Sequence, residues 1–149
     1  MISKWDERFI HLAQEVAEWS KDPSTKVGAI IADDRNRVIA TGYNGFPRGI
    51  KDDERLDDRE TKYSIVIHAE INAVLNATKS VVGCRIYTWP VAPCSNCAAV
   101  LIQAGIHLVV APAMVHERFQ ESIELGKALF REAKVSVWLW ENEKIWRAT

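Results

Sequence analysis

The sequence is poor in the features that mark several large classes of protein. Cysteine occurs only three times in 149 residues, an odd count that suits no closed disulfide framework. No apolar run approaches the ~20 residues of a membrane-spanning helix. The opening nine residues mix charges and hold no apolar signal core, so export is not expected and the expected compartment is the cytoplasm. An excess of one charge is lacking too: 19 Lys and Arg stand against 20 Asp and Glu, for a net charge of −1. Binders of polymeric nucleic acid usually carry a basic surface, so such a partner is not expected, and neither is a membrane. No repeat, linker or low-complexity block interrupts the chain.

What is present is the composition of a folded protein, 48% apolar and 26% charged. A chain of this length is read as one domain over 1–149. It buries roughly 68–70% of its extended surface on folding, so it needs no cross-link merely to stay folded.

Periodicity orders the elements. Residues 5–19 place Phe9, Leu12, Ala13, Val16 and Ala17 at helical spacing behind the N-cap candidate Ser3. Residues 26–32 and 38–42 are short, apolar and β-branched, and the turn between them makes an antiparallel hairpin. Residues 43–61 lack clean periodicity and are expected to form a functional loop or wall. Helices are expected over 67–78, 95–103 and 117–133, and strands over 84–88, 106–111 and 135–140. The order α-β-β-loop-α-β-α-β-α-β predicts an α/β fold: one mixed, five-stranded sheet with helices on both faces and its last strands parallel.

Two short segments carry the chemistry. His68-Ala69-Glu70 and Pro93-Cys94-Ser95-Asn96-Cys97 each open an expected helix. Cysteines at i and i+3 share one helical face, and a helix N-terminus favours the thiolate. One imidazole and two thiolates make three zinc ligands and leave a fourth corner for water, the catalytic arrangement rather than the closed structural one. Glu70, in the first turn after His68, is placed to move a proton without binding the metal. H-x-E followed by P-C-x-x-C is the pattern of zinc nucleobase deaminases. A thioredoxin-type redox pair explains Cys94 and Cys97 but neither His68 nor Glu70. Glu70 as a first-turn acid on the helix dipole remains the plain alternative. Cys84 is expected in the core, and His11, His107 and His116 are expected to be structural or at the surface. The six tryptophans are read as core and subunit-contact residues.

The chain resembles the deoxycytidylate branch of the cytidine and deoxycytidylate deaminase family. The resemblance rests on residues 22–29 (D-P-S-T-K-V-G-A), 42–49 (G-Y-N-G-F-P-R-G), Lys62-Tyr63 ahead of residues 68–73 (H-A-E-I-N-A), and P-C-S-N-C followed by residues 102–106 (I-Q-A-G-I). It implies the three-layer α-β-α cytidine-deaminase-like fold. It implies His68, Cys94 and Cys97 as ligands of one zinc ion per subunit, and Glu70 as proton shuttle. Asn44 would bind the sugar, Ser24, Thr25 and Lys26 the phosphate end, and Ala69 and Tyr63 would also contact the substrate. Arg48 is a weaker candidate for the phosphate. Residues 88–93 (T-W-P-V-A-P) are longer and richer in proline than the usual link before the cysteines.

The implied reaction is hydrolytic deamination of dCMP to dUMP and ammonia, which supplies dUMP for thymidylate synthesis. Some relatives are activated by dCTP and inhibited by dTTP, with Mg2+ on the nucleoside triphosphate effector. The loop Gly45, Phe46, Pro47, Arg48 and Gly49 resembles their effector or lid region. The resemblance also implies a homo-oligomer, with a hexamer expected. Two other readings stand beside this one: a deaminase of a nucleoside, free base or tRNA, and a non-catalytic zinc-binding subunit. The second has no use for Glu70 beside an open coordination position.

Overall fold

A computed structural model describes residues 3–148. The chain opens with α1 (Lys4–Ala17) and the hairpin β1 (Gly28–Ala32) and β2 (Val38–Tyr43). A 3-10 turn (Glu54–Leu56), α2 (Arg59–Ile65) and α3 (Ala69–Asn76) follow. Then come β3 (Arg85–Trp89), α4 (Ser95–Ala104), β4 (Leu108–Pro112), α5 (Glu117–Glu132), β5 (Ser136–Glu141) and β6 (Lys144–Arg147).

Among the described residues the sheet has six strands, not the expected five, in the order β2-β1-β3-β4-β5-β6. β3, β4 and β5 run parallel, as expected. The hairpin partner β2 and the extra strand β6 form antiparallel edges. The sixth strand turns back through Asn142 and Glu143, both at positive φ (50° and 60°), the geometry of a two-residue hairpin loop. Within residues 43–61, expected to be irregular, lie the 3-10 turn and the first residues of α2.

Alternation along the central strands sorts the core into two layers. Ile30, Ala32, Tyr87, Leu108 and Val110 face α1 and meet Phe9, Ile10, Ala13 and Val16. Ala29, Ile31, Ile86, Val109 and Val137 face the other way, toward Ala69 and Ala73 of α3, Leu101 of α4 and Phe130 of α5. Ser3 and Asp6 close a reciprocal capping box at the start of α1. Asp6 is buried and accepts the Tyr87 hydroxyl at 2.5 Å.

Glycine decides how closely α3 approaches. A Cβ at Gly42 would collide with the backbone of Ala69 and Ala73. Its absence lets the first turn of α3 lie directly on β2, which fixes the position of His68 and Glu70. Cys84 is buried in the core, as expected. No helix among the described residues is long and apolar enough to cross a membrane.

Candidate active site

Two helix N-termini converge. His68 is the N-cap residue of α3 and Cys94 the N-cap residue of α4. Cys94 follows the carboxyl end of β3, after a segment that contains a cis Trp89–Pro90 bond. Its Sγ accepts the backbone N–H of Cys97 at 3.4 Å, so the i, i+3 spacing puts both sulfurs at one end of the helix. His68 Nδ1 lies 3.2 Å from Cys97 Sγ and 3.5 Å from Cys94 Sγ. The three donor atoms fall within 4.8 Å of one another. Zinc–nitrogen bonds of about 2.0–2.1 Å and zinc–sulfur bonds of about 2.3 Å around a tetrahedral centre separate N and S by about 3.5 Å. The donor types and spacings therefore fit zinc.

Electrostatics agree with that fit. The Cys97 thiol beside it, helped by His68, pulls the Cys94 thiol down to about 4. The Cys94 thiolate in turn holds the Cys97 proton on, and burial and Glu70 act in the same direction. A divalent cation removes that second proton, because only thiolates ligate. Contact with Cys94 raises His68, and Glu70 adds to the effect. Glu70 is buried, and burial lifts its carboxyl above the ordinary range even though His68 opposes the shift. Raised in this way, the carboxylate is a better proton acceptor than an exposed one, which suits it to proton transfer.

These groups sit at one end of a cleft of about 410 Å³. Its lining includes Ser24, Thr25, Asn44, Tyr63 and Ala69 from the expected set. Asn44 is buried and already engaged: Oδ1 accepts the Val27 N–H at 2.9 Å and Nδ2 donates to Thr25 O at 2.9 Å. Its remaining lone pair is what a sugar hydroxyl can use. Tyr63 is exposed at the edge of the cleft.

Lys26, expected at the phosphate end, is not among the lining residues; its Nζ lies 3.8 Å from Glu18. The chain is extended as it enters β1, so Thr25 and Val27 face the cleft and Lys26 faces away. The loop 45–49 does not line the cleft either. Gly45 instead pairs with Ile67 in an isolated bridge just before His68, and the Arg55 guanidinium lies 5.8 Å from the Phe46 ring.

Two cations to which the sequence reading gave no role line the cleft in their place. Lys62 is buried, with Nζ 3.2 Å from Asp22 Oδ1 and 3.4 Å from Ser24 Oγ. Arg118, at the start of α5, donates from Nη2 to Thr25 Oγ1 at 2.7 Å and stacks 4.6 Å from the Phe119 ring. Lys62 could have been noticed beside Tyr63 in the K-Y pair. Arg118 belongs to no pattern in the sequence. None of the tryptophans lines the cleft; Trp89, Trp138 and Trp140 are half-buried against the core, whereas Trp5, Trp19 and Trp146 are exposed and so lie outside the core where they were expected.

Residues 3–113 match the family described as the cytidine and deoxycytidylate deaminase zinc-binding region. A deaminase of Aliivibrio fischeri is 45% identical over 143 residues, covering 93% of this chain and 96% of that one. The deoxycytidylate deaminase of Mus musculus is 39% identical over 145 residues, covering 89% and 78% respectively. The crystal structure of dCMP deaminase from the cyanophage S-TIM5 in complex with dCMP and dUMP superposes with a TM-score of 0.73. It is 27% identical, over 87% of this chain and 94% of that one.

Proposed function

Because the chain belongs to the cytidine and deoxycytidylate deaminase family, we propose that it hydrolyses dCMP to dUMP and ammonia. The observation that carries the reading is the convergence of His68, Cys94 and Cys97 beside the buried carboxyl of Glu70, at one end of a cleft. His68 Nδ1 and the two thiolates would hold zinc, which when bound would supply Lewis-acid activation of water near neutral pH.

The chain's own residues do the rest. Glu70 receives a proton from the attacking water and places it on ring N3, which makes C4 electrophilic. The water oxygen bonds to C4. Glu70 then takes the remaining proton from the oxygen now on C4 and delivers it to the amino group; the C4–N bond breaks as that oxygen becomes the carbonyl, and ammonia leaves. Asn44 orients the sugar. Ala69 and Tyr63 border the nucleotide, and burial of the ring at this end of the cleft excludes bulk water from the proton transfers.

The 5′-phosphate lies at the other end, against Ser24 and Thr25 and the cations Lys62 and Arg118. A dianion there meets two cations and two hydroxyls, whereas a nucleoside brings no charge to them. The relatives named for deoxycytidylate and the phage enzyme that holds dCMP and dUMP support this choice of substrate.

The same reading extends to a single deaminase domain over 1–149, acting in the cytoplasm as a homohexamer and supplying dUMP for thymidylate synthesis. It also takes dCTP as activator and dTTP as inhibitor, with Mg2+ on the effector and Gly45, Phe46, Pro47, Arg48 and Gly49 as the responding loop. Resemblance to the family supports these extensions.

Ammonia release from dCMP, CMP, deoxycytidine and an RNA hairpin tests the substrate. The reading expects the highest kcat/KM for dCMP. Faster turnover of the hairpin or of deoxycytidine would overturn it.

A further inference from the structure

A second cavity, of about 340 Å³, opens at the opposite end of the sheet. Arg85, Leu108 and Ser136 are in register at the amino ends of the parallel strands β3, β4 and β5. They line it with Trp138, His107 and Asp34. Cys94 follows the carboxyl end of β3, so the cavity is remote from the zinc ligands, and the two cavities share no lining residue.

Among the described residues, two buried side-chain nitrogens lack a hydrogen-bond partner, Arg85 Nε and Trp138 Nε1. Both belong to residues that line this one cavity. Buried polar groups are ordinarily paired, and both of these are donors, so the missing partner is an acceptor.

The rest of the Arg85 guanidinium is spent. Nη2 donates to Asp33 O at 3.0 Å and Asn36 Oδ1 at 2.7 Å, and Nη1 lies 3.5 Å from Asp6 Oδ1. Among the described residues Asp6 is the one carboxylate within 4 Å of it, and closer donors already use that group: the Tyr87 hydroxyl at 2.5 Å and Ser3 N at 2.7 Å. The charge of Arg85 is therefore loosely matched. The hydroxyl-bearing Ser136 sits on the same side of the strand as Trp138, two residues away. Asp34 is exposed at the rim, where solvent and salt screen it.

We propose that this cavity is an oxyanion site, in which a phosphate-class ligand accepts from Arg85 Nε and Trp138 Nε1. The ligand is either free phosphate or the phosphoryl group of a nucleotide. Neither source requires the active-site cleft, and no part of the inference depends on the deaminase reading.

The test uses the full-length ¹⁵N-labelled protein at constant ionic strength. Six indole N–H resonances are expected from six tryptophans, and Trp138→Phe identifies one by its loss. Titration with inorganic phosphate should move the Trp138 indole proton downfield and saturate. No tryptophan lines the cleft, so phosphate bound there gives no such signal. Calorimetry should show this phosphate affinity falling about tenfold in Trp138→Phe, the loss of one hydrogen bond to a charged group. Ser136→Ala, a milder change, should weaken it in the same direction. A parallel titration with dUMP separates the sources: saturation at lower concentration than phosphate assigns the site to a nucleotide, and saturation by phosphate alone assigns it to the free ion. A Trp138 resonance that stays fixed with both ligands, or drifts linearly as it does with chloride, overturns the proposal and leaves ordered water as the partner of the two nitrogens.

Discussion

Arg118 Nη2 donates to Thr25 Oγ1 at 2.7 Å across 93 residues of sequence. The contact joins the start of α5 to the turn before β1 and brings a guanidinium over the end of the cleft away from the zinc ligands. Arg118→Ala should raise KM for dCMP about tenfold, the loss of one exposed charge-assisted contact, and leave deoxycytidine turnover nearly unchanged. Lys26→Ala should move neither. Equal losses on both substrates in Arg118→Ala would make the arginine structural.

Lys62 and Asp22 form a buried ion pair, with 5% and 8% of their side chains exposed. Asp22 also accepts the backbone N–H groups of Ser24 and Thr25 at 2.8 and 3.2 Å, so it shapes the turn that faces the phosphate. Removing one partner leaves a buried charge uncompensated, which costs about 3–5 kcal/mol. Lys62→Met should lower unfolding free energy by about that amount in urea titrations. A loss under about 1 kcal/mol would show that Asp22 is satisfied by the turn alone.

The convergence of His68, Glu70, Cys94 and Cys97, and most of the fold, were legible because their signals are local. Each helix opens with its functional residue, and the H-x-E and C-x-x-C spacings act within one turn. The cleft walls were legible only in part: the segments that carry the resemblance supply Ser24, Thr25, Asn44, Tyr63 and Ala69, whereas Arg118, Phe119, Ser122 and Ile123 come from α5 and reach the cleft only in the folded chain. Lys26 was misplaced for a simple reason: in an extended segment neighbours point to opposite sides. α2 escaped because Arg59, Glu60, Thr61 and Lys62 carry no apolar period. β6 escaped because its turn is Asn142-Glu143, which lacks the glycine that usually marks such a hairpin.

Tyr87 supplies a pH-dependent contribution. Burial, and then its hydrogen bond to Asp6, push its phenol well above the ordinary value. The unfolded phenol ionises near pH 10, while the folded one keeps its proton. Above that pH the unfolded chain binds fewer protons, so stability falls as pH rises. The contribution is fully present below about pH 10 and declines above it. Urea midpoints from pH 8 to 11 should drop more steeply for the native chain than for Tyr87→Phe. Parallel curves would contradict the assignment.

Cys94 has two duties, as a zinc ligand and as the acceptor for the Cys97 N–H. Cys94→Ala should therefore lose metal and activity together while circular dichroism keeps its helical content, because α4 is also held by Cys97, Ala98 and Leu101 in the core. Retention of both metal and turnover would place the zinc elsewhere.

In the proposed division of labour Glu70 moves protons and does not bind metal. Zinc content and dCMP turnover measured on the same preparation of Glu70→Gln test it most directly. The account predicts about one zinc per chain, as in the native protein, with turnover reduced at least 10²–10⁴-fold, the usual contribution of a positioned acid–base group. Loss of the zinc, or turnover near the native rate, would contradict it.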